Sequence, residues 1–186
     1  MSTGLYDLQG RRLYCTADER KAFLKEAAKH PNDVALFCQL LVYSGCRISE
    51  ALAITPQRID TSTGVVIFET LKKRKRGVFR AVPLPNALIE SLQRLTANKP
   101  QTQRLWPWCR TKAWQEVKAV MTAMQTDGPH ATAKGLRHGF AINALQAGVP
   151  LNMVSKWLGH SSLEITAIYT NAFGNEERSF AQRMWT

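Results

Sequence analysis

The apolar positions of this chain recur mostly at helical spacing, interrupted once by a stretch that alternates like strands. Thr16-Ala-Asp-Glu19 reads as a helix start, a threonine cap with glutamate at the third helical position. The segment from Arg20 to Lys29 then places Phe23, Leu24, Ala27 and Ala28 on one face and stops before Pro31. Asn32 or Asp33 is expected to cap a second helix, Val34 to Tyr43, which is apolar nearly all round and therefore buried. Gly45 ends it, and Arg47 to Ala53 reads as a short third helix with Ile48, Ala51 and Leu52 inward. The β-branched and aromatic runs Gly64 to Phe68 and Val78 to Val82 predict two strands, joined by Lys72-Lys-Arg-Lys-Arg-Gly77.

Helical spacing returns after Pro85 with Leu88, Ile89, Leu92 and Leu95. Thr111 to Gln125 follows, with Trp114, Val117, Val120, Met121 and Met124 as its expected core face. Lys134 to Gln146 forms the next helix, and a segment opening at Pro150 runs to Gly159. A last helix from about Ser162 is expected to carry Leu163 and Ile165 toward Tyr169. The pattern predicts a mainly α fold with a small antiparallel β-sheet, an α+β domain without internal repeats.

Composition narrows the partner. A formal charge of +11 on 186 residues favours a polyanion, because Lys and Arg neutralise phosphates and release condensed counterions. No apolar run approaches the roughly 20 residues of a membrane span, and Met1 to Asp7 lacks the basic and apolar regions of a secretory signal. A cytoplasmic protein is expected, with no membrane partner. Cys15, Cys38, Cys46 and Cys109 are too scattered for a zinc site and are expected to be free thiols. Without a glycine-rich phosphate loop, a carboxylate cluster or a His-Glu-x-x-His run, the expectation is no metal and no cofactor. Chemistry on phosphate then falls to side chains.

Cleaving a phosphodiester that way needs a nucleophile, cations on the non-bridging oxygens and a proton donor for the leaving oxygen. Arg47 and Arg137 suit the cation role, since a guanidinium fork holds two oxygens at once and keeps its charge. Tyr169, nine residues after His160, is a candidate nucleophile that neighbouring cations would have to activate. Taken singly, each of these residues reads more simply as an exposed cation, a helix-end histidine or a core aromatic.

In combination they match a family. Gly45-Cys-Arg-Ile-Ser-Glu50, Lys134-Gly-Leu-Arg-His-Gly-Phe140, Leu158-Gly-His160 and Tyr169, in that order, strongly resemble the tyrosine recombinases, or phage integrases, from about Thr16 to Phe173. The resemblance implies that Arg47 and Arg137 bind the scissile phosphate, His160 is the third-motif histidine and Tyr169 the nucleophile. It implies that Glu50 orients neighbouring catalytic groups and that His138 is mainly structural. Lys134 stands where the family usually has histidine; it can donate to phosphate but cannot easily act as a base near neutral pH. His130 is a tempting substitute that reads as loop.

The family's hairpin lysine, which protonates the leaving 5′ oxygen, is Lys72 if counted from the first strand and Lys75 if counted back from Arg80; Lys73 also stays open. The other hairpin cations, Lys73, Arg74, Arg76 and Arg80, are expected to clamp DNA backbone. By this resemblance residues 1–15 form a short arm, 16–173 the catalytic domain, and 174–186 a tail whose Phe180, Met184 and Trp185 either dock on a neighbouring protomer or pack on their own domain. Barely fifteen residues precede the first helix, so the chain is expected to be a short family member, like fimbrial phase-variation invertases, or a catalytic fragment. The implied function is a site-specific DNA recombinase working through a covalent 3′-phosphotyrosine in integration, excision or inversion. Double-stranded DNA is its expected partner and a DNA-bound tetramer its expected assembly, in a prokaryotic nucleoid or encoded by a mobile element. A type IB topoisomerase-like relaxation activity and a catalytically idle DNA-binding protein are the alternatives.

Overall fold

The structure, a computed structural model, describes residues 4–70 and 77–171 together with 178, 181, 182 and 184. Helix α1 (Ala17–Ala27) opens as predicted: the Glu19 N–H donates to Thr16 Oγ1 at 3.3 Å and the Thr16 N–H to Glu19 Oε2 at 2.8 Å, which satisfies two helix-end donors. Helix α2 (Asn32–Ser44) starts two residues earlier than expected, with Pro31 at its cap. It is the central element, packed against α1, α4 (Asn86–Thr96) and α6 (Ala133–Gln146), and nearly every side chain from Val34 to Val42 is buried. Gly45 ends it in the left-handed conformation (φ 63°), donating its N–H to the Leu41 carbonyl at 3.0 Å.

Short helix α3 (Ile48–Leu52) follows, then a three-stranded antiparallel sheet of β1 (Ile59–Asp60), β2 (Val65–Glu69) and β3 (Phe79–Pro83) in sequence order. β1 escaped the sequence reading because two residues carry no period. Val66 pairs with Val82 and Phe68 with Arg80, so these four side chains share the buried face.

Helix α5 (Arg110–Ala123) turns differently from expectation. Ala113, Val117, Val120 and Met121 are buried, whereas Trp114 is half exposed. Ala113 and Trp114 both fit the spacing to Val117, and the smaller side chain lets α5 approach α1 and α3 closely. Helices α7 (Leu151–Leu158) and α8 (Leu163–Ala167) complete the described fold, followed by a 3-10 turn, Ile168–Asn171. Leu163 and Ile165, expected to be carried toward Tyr169, are exposed, with Ile165 on the wall of the cleft that Tyr169 also lines; Thr166 is the buried residue of α8.

Two apolar clusters result. The larger gathers Phe23, Phe37, Leu40, Phe68, Trp106 and Leu136 around α2. The smaller joins Leu5, Tyr14, Phe140, Val154, Leu158 and Tyr169. The described part of the N-terminal arm is thus packed rather than loose: the Leu13 N–H donates to the Leu5 carbonyl at 2.8 Å, and Leu5 and Tyr14 close the cluster that holds Tyr169. Full burial of each such apolar side chain is worth about 1.5–3 kcal/mol, so the candidate nucleophile rests on a fixed floor.

Candidate active site

Arg47 caps α3 in an extended conformation, three residues beyond the end of α2. Its placement depends on Gly45, where a Cβ would fall 2.4 Å from Phe140 Cδ1. Glu50, one turn into α3, accepts the Arg47 N–H at 2.9 Å and Arg47 Nη1 at 2.8 Å. The Arg47 side chain stays 42% exposed while that of Glu50 is fully buried, so the pair aims the guanidinium outward into a cleft.

Arg80 approaches the same carboxylate from β3. Its Nη2 donates to Glu50 Oε2 at 2.7 Å, its Nη1 to Thr70 Oγ1 at 3.1 Å and its Nε to the Trp157 carbonyl at 2.6 Å. With its side chain 4% exposed, Arg80 is not the backbone-clamping cation that the hairpin charge run suggested. The signal was in the strand alternation: Arg80 shares a face with Val82. Burial works against charge on Glu50, but Arg80 first and then Arg47 outweigh it and hold its carboxyl below the usual range.

Arg137 rises from α6 and is almost wholly buried, with Nη1 donating to the Gly45 carbonyl and Nη2 to the Leu158 carbonyl, each at 2.8 Å. It therefore ties the ends of α2 and α7 together, where helix dipoles favour a cation. Burial, helped by Arg47, pulls it down to about 10, still charged at neutral pH. Two of its five N–H donors are committed to these carbonyls, and it lines the cleft beside Arg47.

The left-handed Gly159 (φ 65°) stops α7 and turns the chain so that His160 enters the cleft. A Cβ on Gly159 would meet Arg80 Nη1 and Thr70 Oγ1 at 3.0 Å, so this turn also keys into the Arg80 network. His160 Nδ1 lies 2.8 Å from Thr166 Oγ1, and its ring stacks on Tyr169 with centroids 6.2 Å apart. Tyr169 is 1% exposed. Burial raises its pKa, while Arg137 and Arg47 pull the other way and lose. The hydroxyl therefore keeps its proton at neutral pH.

That hydroxyl lies 3.0 Å from Nδ1 of His138, the neighbour of Arg137 on α6. Lys134, at the start of α6, is exposed at the cleft wall. His130 is turned away from it, 3.1 Å from Glu19 Oε1 and 3.4 Å from Arg12 Nη2. Lys72, Lys73, Arg74, Lys75 and Arg76 lie outside the described residues. The cleft, about 710 Å³, brings together Arg47, Lys134, Arg137, His160 and Tyr169. Ser49 and Arg110 also line it, and the sequence reading singled out neither: Ser49 lies unremarked inside the Gly45 to Glu50 motif, and Arg110 sits in no recognisable motif. Such an arrangement can hold one tetrahedral phosphate on two guanidinium groups beside a phenolic oxygen.

Residues 14–176 match the phage integrase family, and the chain belongs to it. Among curated relatives, the tyrosine recombinase XerA of Pyrococcus furiosus is 28% identical over 178 residues, covering 90% of this chain and 60% of the relative. XerC of Rhodospirillum centenum is 31% identical over 175 residues, covering 83% of this chain and 49% of the relative. The chain thus spans about half of the curated relatives it matches. In structure it resembles the XerA recombinase (TM-score 0.78, 18% identity, 93% of this chain and 65% of that one) and the catalytic domain of bacteriophage HP1 integrase (TM-score 0.68, 22% identity, 91% and 93%). It also resembles the XerH site-specific recombinase bound to its difH substrate (TM-score 0.75, 20% identity, 97% and 60%). These likenesses establish the tyrosine recombinase catalytic-domain fold.

Proposed function

We propose that this chain is the catalytic domain of a site-specific DNA recombinase that breaks and rejoins strands through a 3′-phosphotyrosine. The observation that carries the reading is the convergence of Arg47, Arg137 and His160 on Tyr169 in one cleft. Arg47 and Arg137, with Lys134, hold the scissile phosphate and take up the charge that grows on its oxygens. His160 packs against the nucleophile's ring, Tyr169 attacks phosphorus, and a hairpin lysine (Lys72, Lys73 or Lys75) protonates the departing 5′ oxygen. Glu50 and Arg80 orient Arg47. Energy stays in the covalent ester, so a 5′ hydroxyl of a partner duplex reverses the step without nucleotide hydrolysis.

The net charge of +11 and the proteins of the same fold solved in complex with DNA support double-stranded DNA as the partner. Exchange between two duplexes calls for a homotetramer on DNA, and a cytoplasmic setting is expected on this reading. Among the described residues no helix is long and apolar enough to cross a membrane. Residues 16–173 are the catalytic unit in this reading, and 174–186 a tail that either docks on a neighbouring protomer or packs on its own domain. The test is a nicked suicide duplex, selected by the protein from a randomised pool, on which wild type accumulates a denaturation-resistant adduct and Tyr169→Phe does not.

A further inference from the structure

We propose that His138 is the catalytic residue that takes the proton of Tyr169. The inference rests on the recombinase reading above and deepens it, by naming a group for a step that Lys134 cannot perform. An ammonium has three donors and no acceptor, and Lys134 stands at the exposed wall of the cleft. His138 is placed differently. Its Nδ1 lies 3.0 Å from the Tyr169 hydroxyl, and it is the hydroxyl's hydrogen-bond partner among the described residues. Both groups are buried, the rings are tilted by 56° with centroids 5.5 Å apart, and Tyr169 is held by packing in the Phe140 and Leu158 cluster.

The second observation is the other ring nitrogen. His138 Nε2 is buried and has no hydrogen-bond partner among the described residues, so among them the Tyr169 hydroxyl is the polar group on which the imidazole is spent. Buried unsatisfied atoms in folded proteins mark strain, catalysis or a bound molecule. Burial, reinforced by Lys134 and Arg137, keeps the ring neutral, pulled down to about 4, which leaves a lone pair on one nitrogen. With the proton on Nε2, Nδ1 accepts from Tyr169. The same two cations that disfavour an imidazolium in the free protein are neutralised when the scissile phosphate binds and gains charge, which raises the ring's basicity as the nucleophile needs it.

The step balances. The Tyr169 oxygen forms its bond to phosphorus as the bond from phosphorus to the 5′ oxygen breaks. The tyrosine proton moves to His138 Nδ1, and the 5′ oxygen receives a proton from the hairpin lysine. On rejoining, the attacking 5′ hydroxyl returns its proton to that lysine, and the His138 imidazolium gives its proton back to Tyr169.

Three measurements test this. In single-turnover cleavage of a suicide duplex, His138→Asn retains a polar group near the Nδ1 position but cannot take a proton. It should slow adduct formation on the order of 100-fold or more with DNA affinity maintained. Replacing Tyr169 by a fluorinated, more acidic tyrosine in that variant should restore much of the rate, which a packing role for His138 would not produce. Wild-type rates in His138→Asn, or no recovery with the acidic tyrosine, overturn the proposal while leaving the recombinase reading intact. A wild-type protein that forms no adduct overturns both. The tautomer is read without any variant, from imidazole nitrogen-proton correlation spectra of the free protein: a bare Nδ1 and a protonated Nε2 are expected, and a proton on Nδ1 overturns the assignment.

Discussion

Arg80 and Glu50, thirty residues apart in sequence, form a buried ion pair at 2.7 Å whose carboxylate also holds Arg47 at 2.8 Å. One carboxylate thus joins the cleft-facing arginine that caps α3 to the strand that leaves the basic hairpin. Through the Trp157 carbonyl the same Arg80 reaches the end of α7, where Gly159 and His160 follow. Arg80→Met should leave Glu50 buried without its main partner, a loss of about 3–5 kcal/mol read as a lowered urea midpoint. Arg80→Met combined with Glu50→Met should recover much of that stability yet still cleave poorly, because Arg47 has lost its support.

Gly45 makes a second prediction. Its left-handed φ costs a non-glycine residue about 1–2 kcal/mol, and a methyl group there meets the Phe140 ring at 2.4 Å. Gly45→Ala should therefore lower the thermal midpoint. Where the protein is still folded, it should lose adduct formation out of proportion to stability, since both Arg47 and the Gly45 carbonyl that holds Arg137 shift. Equal losses in Gly45→Ala and in a remote variant of matched stability would contradict this.

Glu19 gives the acid limb of the stability profile. Burial opposes its charge, but the Arg12 fork, the Thr16 N–H and His130 outweigh it and lower the carboxyl to about 2. A depressed folded-state pKa stabilises above the unfolded value near 4.5 and is lost as pH falls toward about 2. The stability gap between wild type and Glu19→Gln should be full at pH 6 and shrink steadily from about pH 4.5 down to 2, measured by denaturant titration. A gap independent of pH would contradict it.

How far these relations were legible depends on their range in sequence. Arg47, Arg137, His160 and Tyr169 could be singled out because each stands beside a local marker: Gly45 before Arg47, the Lys134 to Phe140 motif around Arg137, Gly159 before His160, and the fixed spacing from His160 to Tyr169. Most helices were readable for the same reason, as caps and periods are local. Arg80 was misassigned because a guanidinium just beyond a basic run looks solvated until its distant carboxylate is known. His138 was undervalued because α6 is buried on most sides, so no polar face distinguished it, and its partner lies thirty-one residues away. Trp114 shows the limit of spacing alone, since size decided which of two neighbours faced inward.

Lys134 lends itself to a salt titration. A cation at the cleft wall that contacts phosphate contributes to affinity without reading bases. Lys134→Ala should weaken DNA binding about equally across sequences and reduce the slope of log affinity against log salt by about one. An unchanged slope would remove Lys134 from the phosphate contacts.

The central claim is that Tyr169 carries the DNA, and the chain has four tyrosines, so a peptide map separates them. The direct measurement is mass spectrometry of the protease-digested suicide-substrate adduct. The account predicts a nucleotide mass on the peptide containing Tyr169 and no adduct from Tyr169→Phe. A nucleotide on Tyr6, Tyr14 or Tyr43, or an adduct that persists in Tyr169→Phe, would contradict it.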